Sequence, residues 1–322
     1  MFDVVAVGEL LIDFTTQSTD GDGYPTMAAH PGGAPSNFLA ALSRYGVSTA
    51  LLGKVGDDRF GSMLCGTLEQ AGVDVRGVLH DPAVFTTLAF VTVDERGERS
   101  FSFARKPGAD TQLRQEEVDL SLIDGAKVFH FGTLSLTDEP ARSATRMAVA
   151  YARQRGKLIT YDPNLRPPLW ASVEAAREQI LWGLHQADVA KLSDEEVRFL
   201  WNCDAREGAR RLREEFGIRL AMVSMGENGC YLENARGSCR VLIPEVHPVD
   251  TTGAGDIFGG AAVSRLLKLG KAPEELDQAE LTELARFATT AASLSTERFG
   301  GISSIPDMDT VLSRLDHSRV DT

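Results

Sequence analysis

Short apolar runs alternate with stretches of helical period along most of this chain. Phe2 to Val7 is rich in β-branched residues and reads as a buried strand. Gly21-Asp22-Gly23 and Pro31-Gly32-Gly33 mark loops. Phe38, Ala41, Leu42 and Tyr45 fall at i, i+3, i+4 and i+7, so a helix is predicted over Asn37 to Tyr45, stopped by Gly46. Val84 to Val93 reads as a strand. The polar turn Asp94 to Arg99 follows, then Phe101 and Phe103 two apart, which predicts a β-hairpin or meander. Downstream, Val128 to Phe131, Leu158 to Tyr161, Val189 to Leu192 and Leu220 to Val223 are apolar runs of strand length. Helical patterns near 139–154, 172–184, 194–201 and 205–216 separate them, and two more finish the chain near 256–269 and 278–296. That alternation predicts an α/β fold with a mainly parallel, doubly wound sheet and a β-rich elaboration from the first third. In such sheets ligands sit beyond the carboxyl ends of the strands.

Composition narrows the class. Hydrophobic residues make up 43% and charged residues 25%, which excludes wholesale disorder and a membrane bundle. Acidic residues outnumber basic ones 46 to 33, giving a net charge of −13. That balance argues against nucleic-acid or anionic-membrane partners, which need a basic surface. Cys65, Cys203, Cys230 and Cys239 form no C-x-x-C pair, and buried free thiols are expected. The N-terminus offers no basic n-region before its apolar run, so a cytoplasmic protein is expected.

The segment with the clearest chemistry is Asp250-Thr251-Thr252-Gly253-Ala254-Gly255-Asp256, which runs straight into a helical pattern. Gly253, Ala254 and Gly255 carry almost no side-chain bulk, so a ligand can approach their backbone. Free N–H groups and the dipole at a helix N-terminus make an anion site. Asp256 there would repel an anion, but it suits a base that takes a hydroxyl proton while the amides hold a phosphoryl group. An ordinary turn with Asp256 as N-cap is the alternative. Phe258 breaks a dinucleotide G-x-G-x-x-G pattern, and there is no P-loop.

The stretch Asp250 to Val263 resembles the C-terminal signature of the ribokinase-like (PfkB) sugar kinases. Gly32-Gly33-Ala34-Pro35-Ser36-Asn37 resembles their N-terminal signature. The resemblance covers essentially the whole chain. It implies one ribokinase-like three-layer domain over 1–322, with small β-sheet lid inserts at about 13–34 and 84–112. It implies ATP and Mg²⁺ as cofactors and a sugar as substrate. Asp256 would be the catalytic base and the amides of Gly253, Ala254 and Gly255 the anion hole. Asp13, Gly32, Gly33 and Asn37 would bind the sugar. Ser224, Gly226, Asn228 and Gly229 match the nucleotide loop, and Thr289 the adenine contact. Many members also bind a monovalent cation such as K⁺, and the matching positions here are Asp250, Thr252, Ser295, Arg298, Gly300 and Ser304.

Where ribokinase-type members carry N-x-x-E, this chain has Lys191-Leu192-Ser193-Asp194-Glu195. Lys191 would then reach the ATP phosphates, and Asp194 or Glu195 would hold Mg²⁺ through water. Gly8 to Phe14, Phe103 to Asp110 and Tyr161 to Trp170 resemble segments of the fructokinase branch, with Ala104 where an aromatic is usual. That branch implies conversion of D-fructose to fructose 6-phosphate, with Arg105 and Arg166 aimed at sugar oxygens or phosphate. A 2-keto-3-deoxygluconate kinase or another sugar kinase is the alternative, and a non-enzymatic scaffold the remote one. The apolar face of the 84–103 strands is compatible with a homodimer through the lid.

Overall fold

The computed structural model describes residues 1–93 and 99–315; most of the polar turn at 94–99 and the tail beyond Leu315 lie outside the described residues. The chain opens with β1 (Val4–Val7), β2 (Leu11–Thr19), β3 (Pro25–Gly32) and α1 (Ala34–Arg44). There follow β4 (Thr49–Gly56), α2 (Arg59–Gln70), β5 (Val73–Asp81), β6 (Leu88–Val93) and β7 (Arg99–Ala104). Then α3 (Leu120–Asp124), β8 (Val128–Gly132), α4 (Ala141–Gln154), β9 (Leu158–Asp162), α5 (Val173–Leu184) and β10 (Val189–Ser193) alternate. The last third holds α6 (Asp194–Trp201), α7 (Ala205–Phe216), β11 (Leu220–Ser224), β12 (Cys230–Asn234) and β13 (Ser238–Val241). It closes with α8 (Ala254–Leu269), α9 (Gln278–Ser295) and α10 (Met308–Arg314).

Nine strands form the main sheet in the order β13-β12-β11-β10-β9-β8-β1-β4-β5, parallel except for the β11–β12–β13 edge. Residues alternate between the two faces. Val4 and Ala6 pack with α1, α2, α8 and α9, whereas Val5 and Val7 pack with α3 to α7. A strand covered on both sides needs apolar residues at every position, which is why β1 and β8 to β11 read as continuous apolar runs. Strand order runs outward from β1 through β4 and β5 on one side and from β8 on the other. The switch point therefore lies between β1 and β8, and the crevice beyond their carboxyl ends is the place for a ligand.

The second sheet has the order β3-β2-β6-β7. Its register lines up His30, Asp13, Ala89 and Phe103 across the four strands. Residues directly opposite one another share a face, so these four lie on one side of the sheet.

Several boundaries differ from expectation. Pro31 and Gly32 end β3 rather than forming a loop, and α1 starts at Ala34 with Pro35 in its first turn, where a missing N–H costs nothing. Residues Val84 to Thr87 are not strand. Val84 N is held by Asp81 Oδ1 at 3.1 Å and Thr86 N by Asp58 Oδ2 at 2.8 Å. β4, α2, β5 and the β12–β13 hairpin carry no clear sequence signal. Of the four free cysteines, Cys230 and Cys239 are buried, while Cys65 and Cys203 are only half-buried. Among the described residues no helix is long and apolar enough to cross a membrane.

Candidate active site

The N-terminus of α8 faces the sheet crevice. Gly253 precedes it with φ 76°, and a Cβ there would lie 2.9 Å from Gly301 Cα and 3.1 Å from Asn37 Nδ2, so only glycine fits. The amides of the first helical turn have no intrahelical acceptor. Ala254 N lies 3.3 Å from Thr251 O, which leaves Gly255 and Asp256 as the better-placed anion donors.

Asp256 is not an N-cap: it sits at the third helical position with its carboxylate buried. Asn37 Nδ2 donates to Asp256 Oδ2 at 2.8 Å and fixes that oxygen. Burial pushes the Asp256 carboxyl up to about 6, the nearby Asp162 carboxylate adds to the rise, and Lys191, Asn37 and Arg166 oppose it. A carboxylate poised there is matched to taking a proton near neutral pH.

Lys191, in the middle of β10, is buried with its ammonium 2.9 Å from Asp162 Oδ2. A Cβ on Gly255 would come 2.9 Å from Lys191 Nζ, so the glycine makes room for the cation beside the helix end. Asp194 and Glu195 do not join it. Asp194 pairs with Arg198 one turn on at 2.8 Å, and Glu195 is exposed. The carboxylate at the cluster is Glu196, to which the sequence reading gave no role. It is buried, accepts from Leu165 N at 2.8 Å and Ser193 N at 2.7 Å, and lies in the field of Asp162 and Lys191. The reciprocal Ser193–Glu196 capping box explains this, because a carboxylate at the third position folds back onto the helix start. Asp162, on β9, is the second carboxylate of the cluster and has no local sequence signal for that place.

At the other end of the crevice, a Cβ on Gly32 would strike Asp13 Oδ2 at 2.2 Å, so the carboxylate lies directly over that glycine. Gly33 has φ 112°, and a Cβ there would lie 2.4 Å from Glu9 O. Burial raises the Asp13 carboxyl to about 7; Arg166 opposes the rise, and Asp256 and Asp250 add to it. Arg166 is half-buried and acts on both Asp13 and Asp256, so it faces the crevice. Its loop is held by Glu196 at Leu165 N and by Asp162 Oδ1, which accepts from Asn164 N at 3.1 Å.

Arg105 does not face the crevice. Its guanidinium is buried, with Nε donating to Asp110 Oδ2 at 2.8 Å, Nη1 to Thr137 Oγ1 at 2.7 Å and Nη2 to Leu134 O at 2.8 Å. The fork is engaged as a brace between the root of the small sheet and the core. Glu9 completes this polar knot. It is buried, accepts from Ala34 N at 2.8 Å, and is raised by burial to about 7.

Ser224, Gly226, Asn228 and Gly229 form the turn between β11 and β12, with residues 226–228 exposed. A Cβ on Gly229 would lie 1.9 Å from Val241 O, so its need for glycine is structural. Thr289 departs from expectation: it is buried, with its hydroxyl 3.2 Å from Cys230 Sγ beneath β12. A groove of about 610 Å³ between α7 and the β12–β13 hairpin, lined by Arg206, Tyr231 and Arg236, lies on the other face of β12 and holds none of these groups.

The residues matched to a monovalent-cation loop are drawn together in part. Asp250 Oδ1 accepts from Thr252 N at 3.0 Å and Thr252 Oγ1 at 2.7 Å, while Oδ2 accepts from Gly300 N at 2.9 Å. Ser295 and Ser304 are buried, but their hydroxyls turn to Ala292 O and Gly301 O. Arg298 enters through its backbone N–H on Ser295 O. Among the described residues no three His, Cys, Asp or Glu side chains converge on a metal position. A divalent ion here would draw most of its ligands from phosphate oxygens and water, as Mg²⁺ commonly does.

Comparison with known proteins places this geometry. The chain is 43% identical over 317 residues to a probable fructokinase-4 of Arabidopsis thaliana, covering 97% of this chain and 96% of the relative. It is 41% identical over 319 residues to fructokinase-1 of Zea mays, covering 97% of each. Fructokinase from Xylella fastidiosa with bound ATP superposes with a TM-score of 0.89 at 30% identity, covering 98% of this chain and 99% of that one. Fructokinase from Vibrio cholerae O395, bound to fructose, ADP and calcium, gives 0.85 at 31% identity with the same coverage. The model of the pfkB family carbohydrate kinases matches residues 1–308, and the chain belongs to that family.

Proposed function

We propose that this chain is an ATP-dependent fructokinase that converts D-fructose to fructose 6-phosphate. The observation that carries the reading is the placement of Asp256. Its buried carboxylate stands at the helix end that offers free amides, with Lys191 on one side and Asp13 across the crevice. The sugar's primary hydroxyl attacks the γ-phosphorus, the bond to the β-phosphate oxygen breaks, and the hydroxyl proton passes to Asp256. Asn37 holds one carboxylate oxygen so that the other faces the hydroxyl. The amides of Gly255 and Asp256 and the Lys191 ammonium stabilise charge on the transferring group. Mg²⁺, when bound, supplies neutralisation of the phosphate oxygens, and Asp162 and Glu196 are the carboxylates placed to hold it through water. The small sheet, as lid, brings Asp13 to the sugar and excludes water.

The choice of fructose is supported by the identity to plant fructokinases. A keto-acid sugar would need basic groups for its carboxylate; Arg105 is engaged elsewhere, which leaves Arg166 as the arginine that faces the crevice. A coupled ADP-release assay over a sugar panel tests the choice: fructose should give the highest kcat/KM, and a higher value for 2-keto-3-deoxygluconate would overturn it. Asp256→Asn should lower kcat at least about a thousandfold with fructose affinity nearly intact; turnover close to wild type would remove the base assignment. The reading also includes stimulation by K⁺ over Na⁺, checked by ion exchange in the same assay, and a lid-mediated homodimer, checked by sedimentation. Four free thiols suit a cytoplasmic enzyme.

A further inference from the structure

His30 lies on β3 directly opposite Asp13, so both side chains rise from the same face of the lid. Its ring is wedged against the segment that follows α9: a Cβ built on Gly300 would lie 3.3 Å from His30 Nδ1. The neighbouring Gly301 packs on Asn37, since a Cβ there would lie 2.4 Å from Asn37 Oδ1. Asn37 in turn holds Asp256. The imidazole thus sits between the lid carboxylate and the support of the buried Asp256. Its Nε2 is buried with no hydrogen-bond partner among the described residues. A buried ring nitrogen left unpaired is unfavourable, and a water or a bound ligand can satisfy it.

We infer that His30 is a sugar-specificity residue of the lid, its Nε2 hydrogen-bonding a substrate hydroxyl beside the one held by Asp13. This rests on the kinase reading above. A sugar that spans the gap from Asp13 to Asp256 passes along this ring, and a ring nitrogen can serve a hydroxyl as donor or acceptor. The contact selects for a hydroxyl at one carbon, because a sugar lacking it leaves the nitrogen buried and unpaired.

The test is steady-state kinetics of His30→Ala, His30→Leu and His30→Gln on the sugar the wild type prefers, together with its singly deoxygenated analogues. The expected result is a sugar KM raised about tenfold in Ala and Leu, an ATP KM within twofold of wild type, and substantial recovery in Gln, whose amide can replace the ring nitrogen. One deoxy analogue should lose the same factor with wild type and lose little further with His30→Ala. An unchanged sugar KM in Ala and Leu overturns the inference. So does a parallel rise of both KM values with every analogue keeping its wild-type rank, which marks a purely structural residue. A wild type that phosphorylates no sugar overturns the kinase reading itself, and is distinguished by failing before any variant is compared.

Discussion

Lys191 is a buried cation among three buried carboxylates, Asp162, Glu196 and Asp256. Lys191→Met keeps most of the side chain's shape and removes its charge. The ion pair to Asp162 at 2.9 Å is nearly closed to solvent, so its loss leaves an uncompensated buried carboxylate. That should cost about 3–5 kcal/mol of stability, read by urea denaturation. Loss of a preorganised charge at the transferring phosphoryl group should cost about 10²–10³ in kcat. The third effect is more specific. Lys191 is among the groups that hold the Asp256 carboxyl down against burial, so its removal must move the acid limb of kcat/KM upward from about 6. Lys191→Met/Asp162→Asn separates these effects. Removing both charges should restore most of the stability and bring the acid limb back toward lower pH, while the plateau rate stays low. A single variant with a plateau rate within threefold of wild type, or with an unmoved acid limb, would refute the reasoning.

Three further outcomes follow from the same geometry. Glu9 is raised from 4.5 to about 7 by burial, so its folded form holds a proton more tightly than its unfolded form. Stability from this group is complete below pH 4.5 and is lost as pH rises through about 7; Glu9→Gln should therefore gain up to about 3 kcal/mol on wild type at pH 8 and little at pH 4.5, measured by denaturant titration. Gly32→Ala would place a methyl 2.2 Å from Asp13 Oδ2, so the sugar KM should rise at least about tenfold with ATP KM unmoved. Arg105→Ala should destabilise by about 3–5 kcal/mol in thermal unfolding by stranding Asp110, and Arg105→Lys should rescue little because one ammonium cannot replace the fork.

The strands at the centre of the sheet were legible because burial on both faces demands an unbroken apolar run, as in Val128–Phe131 and Leu220–Val223. β4 and β5 were not, because Lys54 is buried within β4 and paired to Glu117 at 2.7 Å, and Gly77 interrupts β5. That glycine is required where a Cβ would meet Leu51 O at 2.7 Å, a constraint visible only once the strands are paired. At the site, Asp256 and Asn37 could be marked because each stands in the first turn of a helix, and Asp13 and Lys191 through the family segments that hold them. Glu196 escaped although its S-x-x-E box was in plain view, since nothing local says that this carboxylate rather than Asp194 turns inward. The direction of Arg105 is equally invisible, as its partners come from two separate turns, Asp110 from one and Leu134 and Thr137 from another.

The knot of Arg105, Asp110 and Thr87 gives the lid a fulcrum. Thr87 O accepts from Ile12 N at 3.1 Å, and Thr87 Oγ1 donates to Asp110 Oδ1, so the roots of β2, β6 and β7 are pinned at one place. At ~3.3 Å per residue, Asp13 stands only ~7 Å from the first residue of β2, whereas Thr19 at the far end of that strand stands ~26 Å away. A rotation of ~10° about this root moves Asp13 by ~1 Å and the strand tip by nearly ~5 Å. On the function proposed above, the small sheet is a lever with its grip beside the pivot. Its tip can sweep widely to admit or release a sugar while Asp13, the carboxylate assigned to the sugar, hardly leaves its working position.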